Sequence, residues 1–386
     1  MPTAYLDHAA STPMRPEALA AMTEVLAAVP GNPSGQHGWA RGARRRLDDA
    51  RDLVAAAVGA RPSEVVFTSG GTEADNLAIV GAARARAGVA ACFETDHHAA
   101  IEPARAGGGV ALSAHGLGRL DPERVAADLG RFEAVAVVSI CAVNNELGVV
   151  QPVAELAEAA RRGAPGALVH VDAVAAAGWA DLEAIWEVAD LMSLSGHKVG
   201  GPKGIGALVV REGTALEPTS LGGSQERERR AGTPNVAGAV GFGVALERTI
   251  QDRPDRAARV AAMRDRLRAG VLGRAAGRAV DLLEGEAVEL APHVLHLCAR
   301  GVHREALLLR LDADGVAASA GSSCASGAPQ RSHVVEALCV PVGLREGALR
   351  LSLGWSTTEE EIDHALAVVP EAICDLAGTA PEEPAP

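Results

Sequence analysis

The sequence predicts an α/β protein with a mainly parallel sheet in a large domain and a smaller α+β domain towards the C-terminus. Three observations lead there. Short, fully apolar runs rich in β-formers alternate with Ala/Leu/Glu/Arg segments of helical period, the pattern of strands buried on both faces by helices. The pattern changes character after about residue 278, where strand-like and helical stretches interleave differently. A length of 386 residues with 48% hydrophobic and 22% charged residues provides a large core and favours two domains over one.

In chain order, residues 16–58 read as helical, interrupted at 29–38 by VPGNPSGQHG, whose Pro and Gly residues do not continue a helix. EVVFTS (64–69) reads as a strand ahead of the helical GGTEADNLAIVGAARARA. AVAVVSIC (134–141) is a strand ahead of VAELAEAARRG, and ALVHVD (167–172) and DLMSLS (190–195) are further strands. A long Arg-rich helical stretch covers about 245–278. Beyond it HVLHLCAR, GVAASAG and ALRLSLG read as strands among the helices of REALLLRLDAD and TEEEIDHALAVV. The tail GTAPEEPAP is rich in Pro and acid and reads as disordered.

A net charge of −13 argues against a broad nucleic-acid surface, which needs basic residues to neutralise phosphates. Arg44, Arg45 and Arg46 fall in a helical pattern and read as a solvated face. The N-terminus, MPTAYLDHAASTP, lacks the basic-then-apolar pattern of a signal peptide, and no 18-residue apolar run predicts a membrane span. The expectation is a cytoplasmic protein. Cys92, Cys141, Cys298, Cys324, Cys339 and Cys374 form no C-x-x-C pair. That spacing disfavours zinc or a disulfide framework, so no metal site is expected.

The chain contains two lysines against 34 arginines, Lys198 and Lys203, both in SLSGHKVGGPKGIGALVV. A lysine amine can lose its proton and a guanidinium cannot. Lys198 follows the strand-like DLMSLS directly, at the sheet edge where open α/β folds bind ligands. Asp172 ends another apolar strand, 26 residues earlier, where a carboxylate needs a cationic partner. FTSGGTEADN sets Ser, Gly and Thr between a strand and a helix, so free N–H groups and the Thr72 hydroxyl can hold a phosphate. The same residues also fit a simple helix cap made by Ser69 or Thr72. An amine, a buried acid and an anion cradle are the requirements of pyridoxal 5'-phosphate (PLP). Lys198 is then the Schiff-base residue, and Lys203 lies near the phosphate or on the surface.

These segments, with YLDHAASTP, GNPSGQH, TDHHA, VNNELGVVQP, GGSQERERRAGTPN, SAGSSCASG and LRLSLGWSTTEEEID, resemble in order the cysteine desulfurases of the NifS/IscS-like group. That group belongs to the class V aminotransferase family of fold-type I PLP-dependent transferases, and the resemblance runs through most of the chain. It implies a large domain at 15–250 with a seven-stranded sheet. It also implies a small domain from 1–14 and 251–378 carrying a mobile cysteine loop, with 379–386 as a disordered tail.

Residue by residue, the resemblance implies that Lys198 binds PLP and Asp172 meets its ring nitrogen. Gly71, Thr72, Ser195 and His197 hold the phosphate, with Thr233 reaching in from the second subunit of a homodimer. His97 stacks on the ring and moves protons, Asn145 lies beside cofactor and substrate, and Arg350 grips the substrate carboxylate as a two-donor fork. Cys324, in the small and polar AGSSCASGAPQRS, is the nucleophile that becomes a persulfide as L-cysteine turns into L-alanine; an acceptor protein then takes the sulfur.

Departures from the family pattern occur. Ala175 stands where the family has a Gln that donates to the cofactor's phenolic oxygen. Gly35, Ala40, Ser224 and Ser323 are milder changes. Together they suggest a divergent member with a specialised acceptor. Competing readings are a selenocysteine lyase or another class V C–S lyase, and a non-catalytic sulfur-relay subunit. A nicotinamide-binding Rossmann protein is disfavoured because GPKGIG lacks the G-x-G-x-x-G spacing.

Overall fold

The computed structural model describes residues 3–114, 116–321, 332–338 and 340–378. Among them β1 (Ala4–Tyr5) precedes the strands of a central sheet: β2 (Val65–Thr68), β3 (Val89–Phe93), β4 (Val110–Leu112), β5 (Val135–Cys141), β6 (Leu168–Asp172), β7 (Leu191–Ser195) and β8 (Gly206–Val210). Their order is β2-β8-β7-β6-β5-β3-β4. Only β8 runs antiparallel to its neighbours.

The apolar runs have the composition they do because both faces of the sheet are covered. Val169, Val171, Met192 and Leu194 pack into one cluster with Phe242 and Leu246 of the helix Val236–Gln251. Leu168, Leu191 and Leu208 pack on the other face with Leu77 and Ile79 of the helix Gly71–Ala85. Side chains alternate along a strand, so His170, Asp172, Ser193 and Ser195 share the face covered by Gly71–Ala85. Cys141 pairs with Asp172, and Asp172 with Ser193, across β5, β6 and β7. Their C-terminal ends therefore bring polar groups to one edge.

The C-terminal part holds β9 (Ala279–Val280), β10 (Val294–Ala299), β11 (Val316–Ala317) and β12 (Ala348–Ser352). The order β12-β10-β9 is antiparallel, while β1 pairs in parallel with β11. Ala4 and Leu6 share a buried cluster with Leu295, Leu351 and the helices Arg253–Arg274 and Glu359–Gly378. The first residues thus pack with the last. Two expectations are corrected. The Arg-rich stretch at 245–278 is two helices that meet at Asp252, with Pro254 in the first turn of the second, a position where its missing N–H has no cost. GVAASAG forms only the two-residue β11. Gly315 before it has φ +82°, a left-handed turn that delays entry into the strand.

The loop after β8 is held in an unusual shape. Glu226, Arg227 and Glu228 have φ values of +45°, +58° and +66°, which non-glycine residues rarely adopt. The Glu226 carboxylate accepts two 2.8 Å bonds from the buried Arg51 guanidinium and one from the Phe67 N–H at 2.9 Å. That bidentate pair compensates the backbone strain. Among the described residues no helix is long and apolar enough to cross a membrane.

Candidate active site

A cleft with about 750 Å³ of empty space, open to solvent, lies at the C-terminal ends of β5, β6 and β7. Gly71, Thr72, His97, Asn145, Asp172, Ser195, His197, Lys198 and Arg350, nine of the residues singled out in the sequence, all line it. Thr233 does not. It is exposed on the segment beyond the strained loop, away from its own chain's cleft. Cys324 lies outside the described residues.

Lys198 closes a single helical turn, Gly196–Lys198, immediately after β7. Its Nζ donates to the Ala9 carbonyl and, at 3.1 Å, to the Ala10 carbonyl, so the N-terminal segment clasps the amine. Asp172 ends β6 fully buried, its Oδ1 accepting from the Val174 N–H at 2.9 Å. Burial raises its pKa, while that bond and Lys198 pull the other way. Lys203 is exposed in the following turn, yet near enough to act electrostatically on His197.

The helix Gly71–Ala85 starts without a side-chain cap. The capping role open to Ser69 and Thr72 is not realised, and the first-turn N–H groups stay available to an anion. Gly71 is required sterically, because a Cβ there would lie 2.7 Å from Val174 Cγ2. The Ser195 Oγ, on the same edge, is buried without a hydrogen-bond partner. PLP fits this donor set: an amine at Lys198, an acid at Asp172, and an unfilled hydroxyl beside free N–H groups.

His97 is the cap of the helix His98–Ala106, its Nδ1 accepting from the Ala99 N–H at 3.1 Å. That bond leaves Nε2 as the proton-bearing atom of the neutral ring. Burial, then Lys198, His98 and His333, lower its pKa to about 4. His197 is lowered to about 4 by burial and then by both lysines. Arg350, 1% exposed, donates through Nη2 to Asp7 Oδ1 at 2.7 Å and through Nη1 to the Asn145 carbonyl at 2.9 Å, while its Nε has no partner. The fork is therefore pre-oriented by Asp7 and by the backbone of Asn145, with N–H groups to spare for a carboxylate.

Sequence reasoning missed two acids and the backbone clasp. Asp75 lines the cleft fully buried, its Oδ1 3.6 Å from His170 Nε2; burial and then Asp172 hold its pKa well above the ordinary range. Asp96 accepts from the Phe93 N–H at 3.0 Å and is pushed up to about 8, chiefly by burial. Both sit in the quoted motifs ADN and TDHHA, but nothing local distinguishes them from solvent-facing acids. Cys141 also lines the cleft. Its thiol donates to the Val143 carbonyl at 3.2 Å, and burial plus Asp172, Asp96 and Asp75 raise its pKa well above the usual value.

These buried groups set an acid and an alkaline limit on stability. His8, His97, His197 and His296 titrate near 4 and His170 near 3 in the folded protein, each lowered mainly by burial, against 6.5 when free. Between about pH 4 and 6.5 the unfolded chain takes up protons that the folded chain refuses, so stability falls as pH falls. Asp96 has the opposite sign: the folded chain keeps its proton to about pH 8, while the free group releases it near 3.8. Stability therefore also falls as pH rises from 6.5 towards 8. Thermal unfolding of the cofactor-free protein should show its highest Tm near pH 6.5; a Tm that climbs steadily through pH 8 would contradict this account.

A lysine past the end of a parallel strand, an acid ending the neighbouring strand and an anion cradle at a helix start define a class of site found in PLP-dependent α/β enzymes. The chain matches the aminotransferase class-V family model over residues 4–365, and it belongs to that family. Among curated proteins it is 40% identical over 393 residues to an IscS-like cysteine desulfurase of Mycobacterium tuberculosis, covering 96% of each chain. Among solved structures it resembles a NifS-like protein, with a TM-score of 0.87, 28% identity and coverage of 97% of this chain and 100% of that one. It also resembles SspA in complex with cysteine, with a TM-score of 0.78, 28% identity and coverage of 91% and 99%.

Proposed function

We propose that the protein is a PLP-dependent cysteine desulfurase that converts L-cysteine to L-alanine and forms a persulfide on Cys324. The observation that best supports this reading is the gathering of Lys198, Asp172, His97 and Arg350 around one cleft. When bound, PLP would supply an electron sink for the charge that develops at the substrate Cα.

The rest falls to the chain. Arg350 orients the substrate carboxylate, and the Lys198 amine takes the Cα proton. Asp172 would stabilise a proton on the ring nitrogen of the bound cofactor. The neutral His97 offers its Nε2–H on the cleft side of the reaction. The Cys324 thiolate attacks the substrate sulfur; the S–S bond forms and the C–S bond breaks with its electron pair left on Cβ, which takes a proton, and Lys198 returns a proton to Cα to complete alanine. The exposed Thr233 completes the phosphate site of a second copy in a homodimer, and an acceptor protein receives the sulfur. The reading places Cys324 in a reducing, cytoplasmic setting, where a catalytic thiol stays available.

The test is the product balance from L-cysteine with dithiothreitol and the cofactor-loaded protein. Alanine and sulfide in equal amounts are expected. Pyruvate and ammonia in place of alanine would establish an eliminating C–S lyase, turnover of selenocysteine alone would establish the selenium reading, and no product would leave the sulfur-relay reading standing.

A further inference from the structure

Behind the wall that Ala175 and Lys198 contribute to the cleft lies a second cavity. It shares Ala9, Ala175 and Lys198 with the cleft and is otherwise bounded by different residues. Arg15, Arg256 and Lys198 bring three cationic groups to its lining, and that lining includes no carboxylate. Asp252, just outside, pairs with both arginines, meeting Arg15 Nη2 at 2.8 Å. Asp252 is one carboxylate shared by two guanidinium groups, so this side of the chamber carries excess positive potential.

It also holds two buried nitrogens with no hydrogen-bond partner. Arg15 Nε and His293 Nδ1 are buried without a hydrogen-bond partner, in side chains whose residues are 6% and 4% exposed. An arginine Nε always carries a hydrogen, so the first is a donor with nothing to donate to. The His293 ring is fixed by stacking on Trp179, with centroids 4.4 Å apart and planes 8° from parallel, and the Arg256 guanidinium lies 4.9 Å from the Trp179 ring centroid. The hydroxyls are already engaged: Thr12 Oγ1 bonds His8 Nδ1 at 2.7 Å, and Thr249 Oγ1 donates to the Val199 carbonyl at 2.9 Å. Their oxygens keep acceptor lone pairs, but the Arg15 Nε–H is left with nothing to donate to. An anion only accepts.

We propose that this chamber binds one small monovalent anion, of halide or hydrosulfide size, held by the Arg15 Nε–H and by the His293 ring in the tautomer that carries its hydrogen on Nδ1, in the field of Arg256 and Lys198. There is room for roughly one or two water-sized species, too little for sulfate or a sugar acid. Because Lys198 forms one wall, an anion here favours the ammonium form of its amine in the cofactor-free protein. The proposal stands independently of the reaction argued above.

The test uses the cofactor-loaded protein and sodium bromide, with sodium gluconate holding ionic strength constant. Trp179 and Trp355 line the chamber, so bromide quenching of tryptophan fluorescence reports on its occupancy, and anomalous diffraction from bromide-soaked crystals locates the ion. A saturable titration and a bromine peak beside Arg15 and His293 are expected. Arg15→Met should raise the half-saturation concentration at least tenfold. Gly178→Val should do the same by filling the chamber, since a Cβ at Gly178 has only Thr249 Cγ2, at 3.9 Å, within 4 Å. Neither residue lines the cleft, so both variants should keep the bound cofactor's visible absorption. If Arg15→Met does not fold, Gly178→Val and the diffraction map decide. Sodium chloride and sodium hydrosulfide, added separately as competitors, identify which ion binds more tightly. Linear quenching identical in wild type and Gly178→Val, or bromine peaks elsewhere with an empty chamber, would overturn the assignment.

Discussion

Lys198→Ala should abolish alanine formation and leave a protein that loses its cofactor on desalting, seen as loss of the bound visible absorption band. Two effects combine. The covalent anchor of the cofactor disappears, and so does the base that serves the substrate Cα; loss of acid–base catalysis alone lowers rates by roughly 10²–10⁴-fold. No other amine can substitute, because the one remaining lysine, Lys203, is exposed in the next turn and outside the cleft. Lys203→Ala is therefore the control and should leave turnover and absorption close to wild type. A Lys198→Ala protein that still turned over cysteine at the native rate would remove the basis for a PLP mechanism in this cleft.

What could be read in advance follows from how local each signal is. The strands β5, β6 and β7 were visible because burial on both faces demands unbroken apolar runs, and a polar residue ending such a run, as at Asp172 and Ser195, is conspicuous. Lys198 stood out through chemistry, as an amine in a chain that otherwise uses guanidinium. The partners of these residues were not visible. Asp75 and Asp96 are buried only because the helix Gly71–Ala85 and the turn before His97 fold against the sheet. The carbonyls of Ala9 and Ala10 reach Lys198 because the N-terminal segment packs with the C-terminal strands across more than 300 residues of sequence. Asp7 illustrates the same limit, since its carboxylate orients Arg350 from the opposite end of the chain. The helix break at Asp252 was hidden because Arg- and Ala-rich sequence has helical period on both sides of it.

The anion chamber lies at the far end of this scale. Arg15, His293, Arg256 and Ala175 come from four separate segments and share no motif. Ala175 was noted only for the side chain it lacks. Its position in the fold gives that absence a physical meaning: the wall between cleft and chamber carries a methyl group in place of a hydrogen-bonding amide.

Cys324→Ala should lower alanine and sulfide production by about 10³-fold or more while the bound absorption band persists, because a missing nucleophile removes a chemical step and leaves the cofactor's own contacts intact. The choice of Cys324 rests on sequence, on a small and polar setting within a family motif; the structure adds the case against Cys298, Cys92 and Cys141. Cys298 is buried and its thiol is pushed up to about 12 by burial, with Asp281 adding to the effect. Cys92 is raised in the same direction by burial and Asp96. Cys141 is the stronger competitor, since it lines the cleft beside Asp172. Its surroundings disqualify it: burial holds its thiol well above the usual value, with the acids Asp172, Asp96 and Asp75 acting in the same direction, and a thiol that stays protonated is a poor nucleophile for sulfur. Cys141→Ala should therefore leave the rate of alanine formation nearly unchanged. Should Cys141→Ala instead eliminate turnover while Cys324→Ala spares it, the persulfide would have to form inside the cleft, on a thiol whose burial disfavours the thiolate.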